Sequence, residues 1–367
     1  MRFLSGDRTF LALTLVLALG GIAIFSSAAL GLLARQSGTI SHEILSQAVL
    51  GLGGGALAFL LARHMPLGFV RKAAPYAYLA TLALTLLVFV PGLGTYANGA
   101  TRWIDLGFTT IQPAEFLKIG VVLMMAWYLA KYARVLGDLR RGILAFVLIV
   151  GVPALVLLFQ PNTSTTLLIA CTAAVMYFAA GAPLRDFGIL ILIALFAGGT
   201  ILLVRPYAFQ RVITFLHPSA DSLGASYQIQ QSLIAVGSGG LLGRGFGESV
   251  QKFNYLPEPD GDSVFAVFAE ECGFLGAVIL VLLFAALAAR GIVIAGESRD
   301  LFGGLLALGL SWLIAFQAFV NISAMIGVIP LTGLPLPFVS HGGTALLVTL
   351  ACAGLILNVA AHRKSTA

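Results

Sequence analysis

The feature that most constrains this chain is a series of ten long apolar segments. A hydrocarbon layer about 30 Å thick is crossed by about 20 helical residues, and segments near this length, bounded by charged residues, proline or glycine, recur along the whole sequence. They span residues 9–33, 44–62, 74–90, 111–130, 143–159, 164–182, 187–204, 264–289, 302–323 and 343–361. We expect one all-α, polytopic membrane domain over residues 1–367, with about ten transmembrane helices.

The charge content supports this interpretation. Charged residues make up only 10% of the 367 residues and hydrophobic residues 59%, whereas soluble domains average about 25% charged residues. The net charge of +6 is spread between the apolar segments rather than gathered in one patch, which argues against nucleic acid as a partner. Cys171, Cys272 and Cys352 lack metal-ligand spacing, so we interpret them as packing residues.

The distribution of lysine and arginine predicts the orientation of the chain. With the N-terminus inside, 14 of these residues fall in cytoplasmic loops and six in outer loops, which agrees with the positive-inside rule. Both termini are therefore predicted to be cytoplasmic. Three long segments then face outward, at 91–110, 205–262 and 324–342. The second is a large extracellular loop between helices seven and eight, and long loops of this kind are usually functional.

Charged residues near the start of the fourth segment are the first candidates for a site. Glu115 and Lys118 are three residues apart and share one helix face. Charges at membrane depth pair with each other or face a cavity, so two interpretations remain open: a structural ion pair, or a Lys118 that binds an anion. Arg102 and Trp103 precede them. Trp103 is typical of an interfacial anchor, and Arg102 of a snorkelling cation or a bidentate phosphate ligand.

The outer loop ends in a glycine-rich segment at 237–262. It contains no nucleotide-binding glycine motif, but it carries the cation Lys252 and the acids Glu258 and Asp262. An acid such as Glu258 is typically solvated. Asp262 directly precedes the eighth segment, at the mouth of any cavity between the helices, where burial and nearby cations would tune its pKa.

Two further polar pairs lie at the outer ends of the eighth and tenth segments. Glu270 and Glu271 are inside the eighth, and we expect a structural role for them. Ser340 and His341 precede two glycines at the start of the tenth. The glycines permit a close backbone approach to an anion, whereas His341 alone is equally typical of an interfacial histidine.

Taken in order, these segments resemble the SEDS family (shape, elongation, division and sporulation), which includes FtsW and RodA. The resemblance covers most of the chain and rests on seven strings: NGATRWIDLG at 98–107, QPAEFLK at 112–118, QPN at 160–162, YQIQQSLIAVGSGG at 227–240, QKFNYLPE at 251–258, NI at 321–322 and GLPLPFVSHGG at 333–343. The Gln251-Lys252 pair and the string LPFVS are more similar to FtsW than to RodA.

The resemblance implies a function. Family members are peptidoglycan glycosyltransferases of the bacterial cytoplasmic membrane that polymerise lipid II at its outer face. A class B penicillin-binding protein supplies the transpeptidase activity, and other divisome or elongasome proteins and membrane lipid are the remaining expected partners. The family's essential aspartate, within Leu-Pro-Glu-x-His-Thr-Asp, corresponds to Asp262. Here Asp260 and Gly261 replace the motif's His and Thr, and His341 replaces the Tyr of Ser-Tyr-Gly-Gly.

We therefore predict inverting glycosyl transfer with Asp262 as the general base on the acceptor hydroxyl. Arg102, Lys118 and Lys252 would stabilise the departing diphosphate, and Trp103, Glu115, Glu258, Ser340 and His341 complete the predicted substrate-binding set. No metal cage is visible in the sequence, although Mg²⁺ or Mn²⁺ could assist at the diphosphate. Two alternatives remain open: a lipid II flippase that uses the same charged cavity, and a non-catalytic scaffold for the penicillin-binding protein.

Overall fold

The structure is a computed structural model that describes residues 7–34, 44–97, 100–107, 109–217, 226–253 and 255–362. Several residues used in the sequence analysis lie outside this described part. They are Asn98 and Gly99 of the first string, Asn254 of the fifth, and the cations Arg2, Arg35, Arg363 and Lys364 that entered the count of loop charges.

Twelve helices account for most of the described residues. They are α1 (Arg8–Ala34), α2 (Ser46–His64), α3 (Leu67–Leu86), α4 (Pro113–Tyr132), α5 (Ala145–Phe159), α6 (Thr163–Ala179), α7 (Leu184–Val204), α8 (Pro206–Leu216), α9 (Tyr227–Ser238), α10 (Val264–Gly296), α11 (Leu301–Met325) and α12 (Gly343–Ala361). Nine of them are long and apolar enough to cross a membrane, and α6 is a shorter apolar helix of 17 residues. Each predicted apolar segment coincides with one of these ten helices, so the all-α, polytopic fold is confirmed.

Burial distinguishes central from peripheral helices. In α11 and α12, 72% and 78% of the most apolar stretch is buried inside the protein, whereas none of the corresponding stretch of α7 is buried. Because a lipid-facing helix needs no protein cover for its apolar side chains, α7 is peripheral and α11 and α12 form the centre. The functional groups described below lie at the outer ends of these central helices.

A small antiparallel sheet covers part of the outer end. Its strands are β1 (Gly94–Ala97), β2 (Ala100–Asp105) and β3 (Thr110–Ile111), in the order β1-β2-β3. Trp103 pairs with Thr95 across β1 and β2. The sequence predicted a long functional segment at 91–110 but no strands within it. The sheet leads directly into α4, which begins at Pro113, and β2 carries Arg102 and Trp103.

Helix α10 is broken at Gly273, whose φ of 67° and ψ of −168° are not helical. The break removes the helical partners of two N–H groups and two carbonyls. The loop 240–245 replaces all four: Gly240 and Leu241 carbonyls accept from the N–H groups of residues 274 and 275, while the N–H groups of residues 244 and 245 donate to the carbonyls of residues 270 and 271, at 2.9–3.2 Å. Unpaired backbone groups are costly near lipid, so this exchange permits the break.

Glycines make that contact possible. A Cβ added at Gly243 would lie 2.0 Å from the Glu271 carbonyl oxygen, and one added at Gly273 would lie 2.3 Å from the Gly243 nitrogen. Both positions also have positive φ, which glycine adopts without strain. The glycine-rich loop therefore packs its backbone directly onto α10 and fixes the short outer part of that helix, which Asp262 precedes.

Candidate active site

The three segments that were predicted to face outward meet at a polar cavity of about 460 Å³. Strand β2, the start of α6, the turn before α10 and the segment 332–345 all contribute to its wall. Six of the nine predicted site residues line it, namely Arg102, Trp103, Glu115, Glu258, Asp262 and His341. The structure thus brings together residues that are up to 239 positions apart in the sequence (102 to 341).

Asp262 is the acidic group with the most distinctive environment. Its Oδ1 accepts a hydrogen bond from Gln228 Nε2 at 3.1 Å, and its backbone carbonyl accepts from Asn321 Nδ2 at 2.8 Å. Burial raises its pKa to about 6 and the negative charge of Glu258 adds to this rise, while the Gln228 hydrogen bond and the Arg211 charge oppose it. A carboxylate of this pKa is ionised at neutral pH yet basic enough to accept a proton.

A tight turn positions the two acids together. The Glu258 carbonyl accepts from the N–H groups of Gly261 and Ser263 at 3.1 and 3.2 Å, and Glu258 itself has a φ of 47°. A positive φ is uncommon for a residue with a side chain, and such strained positions cluster at functional sites. Both carboxylates reach the cavity because the chain folds back between them.

Arg211 is a cavity residue that the sequence analysis counted only as an outer-loop charge. It lies on α8, whose apolar and polar side chains are segregated at helical spacing, and it lines the cavity beside Asp262. A methyl group added at Gly333 would lie 3.6 Å from Arg211 Nη2 and 3.8 Å from Asp262 Oδ2. The guanidinium and the carboxylate thus border one small space, which the glycine leaves open.

Arg102 supplies a second cation at another wall of the cavity. Its Nε donates to the Gln160 carbonyl at 3.1 Å, and its Nη2 donates to the Pro161 carbonyl. Gln160 is itself anchored, because its Nε2 donates to the Thr85 carbonyl at 2.8 Å. These bonds fix the guanidinium plane on the string QPN, so Arg102 is preorganised for an anion.

The sequence analysis also missed Asn162 and Ser164 at the start of α6. Asn162 is 5% exposed and lines the cavity. Its Oδ1 accepts from the Thr165 N–H, while its Nδ2 has no hydrogen-bond partner among the described residues. Ser164 Oγ donates to the Thr332 carbonyl at 2.6 Å. A buried amide donor without a partner is a candidate for contact with a ligand oxygen.

Lys118 does not reach the cavity wall, although Glu115 does. Lys118 Nζ lies 2.7 Å from Glu115 Oε2 and 2.7 Å from Gln317 Oε1. Both charged side chains are only about 3% exposed, and a buried pair with this geometry is a stable structural unit only when both partners remain. The ion-pair interpretation therefore describes Lys118, and its partner Glu115 also lines the cavity.

Lys252 lies away from the cavity and is fully buried. Its Nζ donates to Glu271 Oε1 at 2.7 Å, to the Gly247 carbonyl at 2.7 Å and to Ser27 Oγ at 3.0 Å. An ammonium group has three donors, and all three are used. The structure therefore places this cation in a link between α1, the glycine-rich loop and α10, and not beside Asp262.

The last two predicted residues shape the segment before α12. Ser340 Oγ accepts from the Leu336 N–H at 2.7 Å within a buried turn and does not line the cavity. His341 lines the cavity, and its backbone N–H donates to the Asp260 backbone carbonyl at 2.6 Å. His341 Nδ1 is also 3.7 Å from Asp260 Oδ2. Two of the departures from the SEDS motifs, Asp260 and His341, therefore contact each other.

The described residues contain no group of three or more His, Cys, Asp or Glu side chains arranged to hold a metal ion. Magnesium is commonly bound through only one or two carboxylates together with substrate phosphates. Glu258, which lines the cavity beside Asp262, is a carboxylate that fits such a shared site.

The fold and cavity define a multi-pass membrane protein with a preorganised, charged site at one end of its helix bundle. Comparison with known families is specific: residues 7–365 match the cell cycle protein family named for FtsW, RodA and SpoVE. The chain belongs to this family, which confirms the resemblance found in the sequence.

Individual relatives match over nearly their whole length. Stage V sporulation protein E of Bacillus subtilis is 37% identical over 361 residues, which are 98% of this chain and 98% of the relative. A probable peptidoglycan glycosyltransferase FtsW of Coxiella burnetii is 37% identical over 361 residues, 97% of this chain and 96% of the relative.

Solved structures agree with this fold. A chain from a peptidoglycan synthase complex, studied for the coordination of polymerization and crosslinking, superposes with a TM-score of 0.80 at 29% identity, covering 99% of this chain and all of the other. The rod shape determining protein RodA of Thermus thermophilus superposes with a TM-score of 0.69 at 28% identity over the full length of both chains.

Proposed function

We propose that this protein is a peptidoglycan glycosyltransferase that polymerises lipid II at the outer face of the bacterial cytoplasmic membrane. The observation that carries the proposal is the juxtaposition of the Asp262 carboxylate, of raised pKa, with the guanidinium of Arg211 in a cavity that also holds Arg102. The naming of the FtsW relatives as peptidoglycan glycosyltransferases supports the same reaction.

Asp262 would act as the general base. The carboxylate takes the proton from a hydroxyl of the acceptor sugar as that oxygen bonds to the anomeric carbon of the donor. The bond from that carbon to the diphosphate breaks, the lipid diphosphate leaves with the bonding electrons, and the anomeric configuration inverts. A positioned base typically contributes about 10²–10⁴-fold to rate.

Arg102 and Arg211 would stabilise the departing diphosphate. Arg102 is held by two backbone carbonyls and Arg211 borders the space beside Asp262, so both charges are in place before the bond breaks. Preorganised cations at a site of developing charge are a major source of rate enhancement. Lys118 and Lys252, which the sequence also suggested for this role, are bonded to buried partners away from the cavity wall, so we assign them structural roles.

Asn162 and Trp103 would help to orient the substrate. The Asn162 amide offers a donor without a partner among the described residues, which suits a sugar or phosphate oxygen. Glu258, together with the diphosphate, would be the ligand set for Mg²⁺ or Mn²⁺, which when bound would supply charge neutralisation at the leaving group.

Placement in the cell follows from the same proposal. The cavity would face outward with both termini in the cytoplasm, as the loop charges predict. A class B penicillin-binding protein would crosslink the strands, in line with the similarity to a chain of a peptidoglycan synthase complex.

The experiment is glycan-strand formation from lipid II by the purified full-length protein, with and without a class B penicillin-binding protein. Asp262→Asn keeps the shape of the side chain and can still accept the Gln228 hydrogen bond, but it cannot take a proton. We expect a loss of at least about 100-fold. Asp138→Asn, at an exposed aspartate outside the cavity, is the matched control and should keep full activity.

The outcomes separate the three hypotheses. Equal polymer from the two variants would remove Asp262 as the base but keep the enzyme. No polymer from the native protein with its partner, combined with transbilayer movement of lipid II in proteoliposomes, would favour a flippase. No polymer and no movement would favour a scaffold.

A further inference from the structure

Helix α11 carries two buried amides on one face that connect the walls of the cavity. Asn321 is 1% exposed and Gln317, one turn earlier, is 4% exposed. Asn321 Nδ2 donates to the carbonyls of Asp262 and Leu334, both at 2.8 Å. One side chain thus joins the backbone of the acidic turn to the backbone of the segment 331–337.

Gln317 extends this connection to the opposite wall. Its Nε2 donates to the Pro335 carbonyl at 2.8 Å, and its Oε1 accepts from Lys118 Nζ at 2.7 Å. Lys118 in turn pairs with Glu115. A series of contacts therefore runs from Glu115 in α4 through Gln317 to Pro335, along the backbone to residue 334, and through Asn321 to Asp262 before α10.

The bonding of Asn321 is costly in a way that a packing residue would avoid. Its Oδ1 is buried and has no hydrogen-bond partner among the described residues. A buried acceptor without a partner lowers stability. The residue is nevertheless suited to this position because a primary amide offers two N–H donors from one atom, and two carbonyls converge there.

We propose that Asn321 is a positioning residue for Asp262. Asn321 holds the Asp262 backbone against residue 334, so that the carboxylate stays beside Arg211 and Gly333. Gln317 fixes the same segment through its hydrogen bond to the Pro335 carbonyl. This inference rests on the proposed function for its catalytic consequence, although the placement itself does not depend on activity.

Asn358, near the C-terminal end of α12, provides a matched control. Asn358 in α12 is fully buried, its Nδ2 donates to the carbonyls of Ala62 and Met65 at 2.7 and 2.5 Å, and its Oδ1 also has no partner in the described part of the chain. It has the same bonding pattern between α2 and α3, far from the cavity. Asn358→Leu therefore reports the general cost of losing such an amide.

The first measurement is steady-state kinetics per folded molecule for Asn321→Leu and Asn358→Leu, with the fraction folded taken from thermal unfolding. A displacement of a reacting group by about 1 Å can cost about 100-fold in rate. We expect Asn321→Leu to lower kcat by about 10–100-fold with KM changed less than about 3-fold, and Asn358→Leu to leave both constants near the native values. Equal kcat values for the two variants would overturn the proposal.

The second measurement is hydrogen exchange, which needs no activity. Asn321→Leu should speed exchange in peptides covering 256–263 and 331–340, whereas Asn358→Leu should speed exchange only around 62–66. If Asn321→Leu does not fold, Asn321→Ser, whose hydroxyl reaches at most one carbonyl, replaces it and should show the same pattern to a smaller degree. Unchanged exchange at 256–263 would show that Asn321 does not hold Asp262.

The two arms separate this inference from the proposed function. If Asp262→Asn retains full polymerisation, Asp262 is not the base, yet the exchange pattern still decides whether Asn321 fixes its position. If Asp262→Asn is inactive and Asn321→Leu is as active as Asn358→Leu, the function stands and the positioning role fails.

Discussion

The acids Glu270 and Glu271, inside α10, and the acid Asp262, just before α10, have opposite environments. Glu270 and Glu271 are buried, and their oxygens accept hydrogen bonds from Ser249, Lys252 and Ser27 at 2.6–3.4 Å. Asp262, eight residues before Glu270, accepts a side-chain hydrogen bond from Gln228 Nε2 at 3.1 Å.

The difference indicates that Glu270 and Glu271 stabilise the fold, whereas Asp262 is available for the reaction. The carboxylates of Glu270 and Glu271 accept hydrogen bonds from several buried donors, so their charges are fixed and unreactive. The carboxylate of Asp262 is held in an environment that favours its protonated form, since its pKa is raised to about 6. Residues at functional sites commonly lower the stability of a protein in exchange for reactivity. Substitutions at both kinds of site test this contrast.

The largest effect is expected from Lys252→Met. The substitution leaves the Glu271 carboxylate buried without its cation, and breaking a buried pair in this way typically costs about 3–5 kcal/mol. We expect a clear fall in Tm in detergent. Lys72→Met, at an exposed lysine, should leave the Tm unchanged. Lys252→Met combined with Glu271→Gln should recover part of the loss. If Lys252→Met unfolds at the native Tm, Glu270 and Glu271 do not have a structural role.

Asp262→Asn is expected to raise the stability of the protein, whereas Lys252→Met lowers it. The folded-state pKa of about 6 lies above the ordinary 3.8, so the native state binds the proton more tightly than the unfolded state does. Stability therefore falls as pH rises from about 4 to 6, and the full penalty, roughly 3 kcal/mol, is present at pH 7. The amide avoids this penalty. We expect Asp262→Asn to be more stable than the native protein at pH 7 and equally stable below pH 4. A lower Tm at pH 7 would contradict the proposed electrostatics.

The pH profile of kcat/KM provides a smaller but sharper test. A base of pKa about 6 predicts a rate that rises with pH and reaches half its plateau near pH 6. Glu258→Gln removes a repelling charge and should move this midpoint down by roughly half to one pH unit. Arg211→Gln removes an attracting charge and should move it up. Movement of both midpoints in the same direction would exclude Asp262 as the titrating group.

The smallest effect concerns the contact between Asp260 and His341. At 3.7 Å, with the histidine 27% exposed, the pair should contribute no more than about 1 kcal/mol. A double-mutant cycle of Asp260→Asn and His341→Gln, measured by thermal unfolding, isolates this coupling. A coupling near zero would mean that only the backbone hydrogen bond joins the two segments.

Most of the fold followed from the sequence because lipid imposes a simple rule. Every membrane-spanning backbone must satisfy its own hydrogen bonds, so ten apolar segments had to be ten helices. The sheet β1–β3 did not follow, because strands of two to six residues at a membrane surface have no lipid-imposed pattern. The helices α8 and α9 within the outer loop were missed for the same reason, although the segregated apolar and polar residues of α8 indicate a helix.

The site was predictable where a residue was anomalous and not where it was ordinary. Asp262 and Glu115 stood out because acids are rare near apolar segments. Arg211 is a common residue type in a polar loop, so nothing in the sequence marked it. Gln228 and Asn162 lie in two of the strings that carry the family resemblance, but neither is charged and no role was predicted for them. Lys252 looked like a free cation because nothing in the sequence paired it with Glu271, 19 residues later, and because its other side-chain partner, Ser27, is 225 residues away.

The break in α10 has a consequence for which changes in chain length the protein can accept. Four hydrogen bonds connect residues 240–245 to residues 270–275 in a fixed register. A single inserted or deleted residue in the loop would move every donor away from its acceptor at once. Surface loops rich in glycine usually accept insertions. This one should not, and epitope tags placed there should abolish folding, whereas tags at the exposed turn near Asp138 should be tolerated.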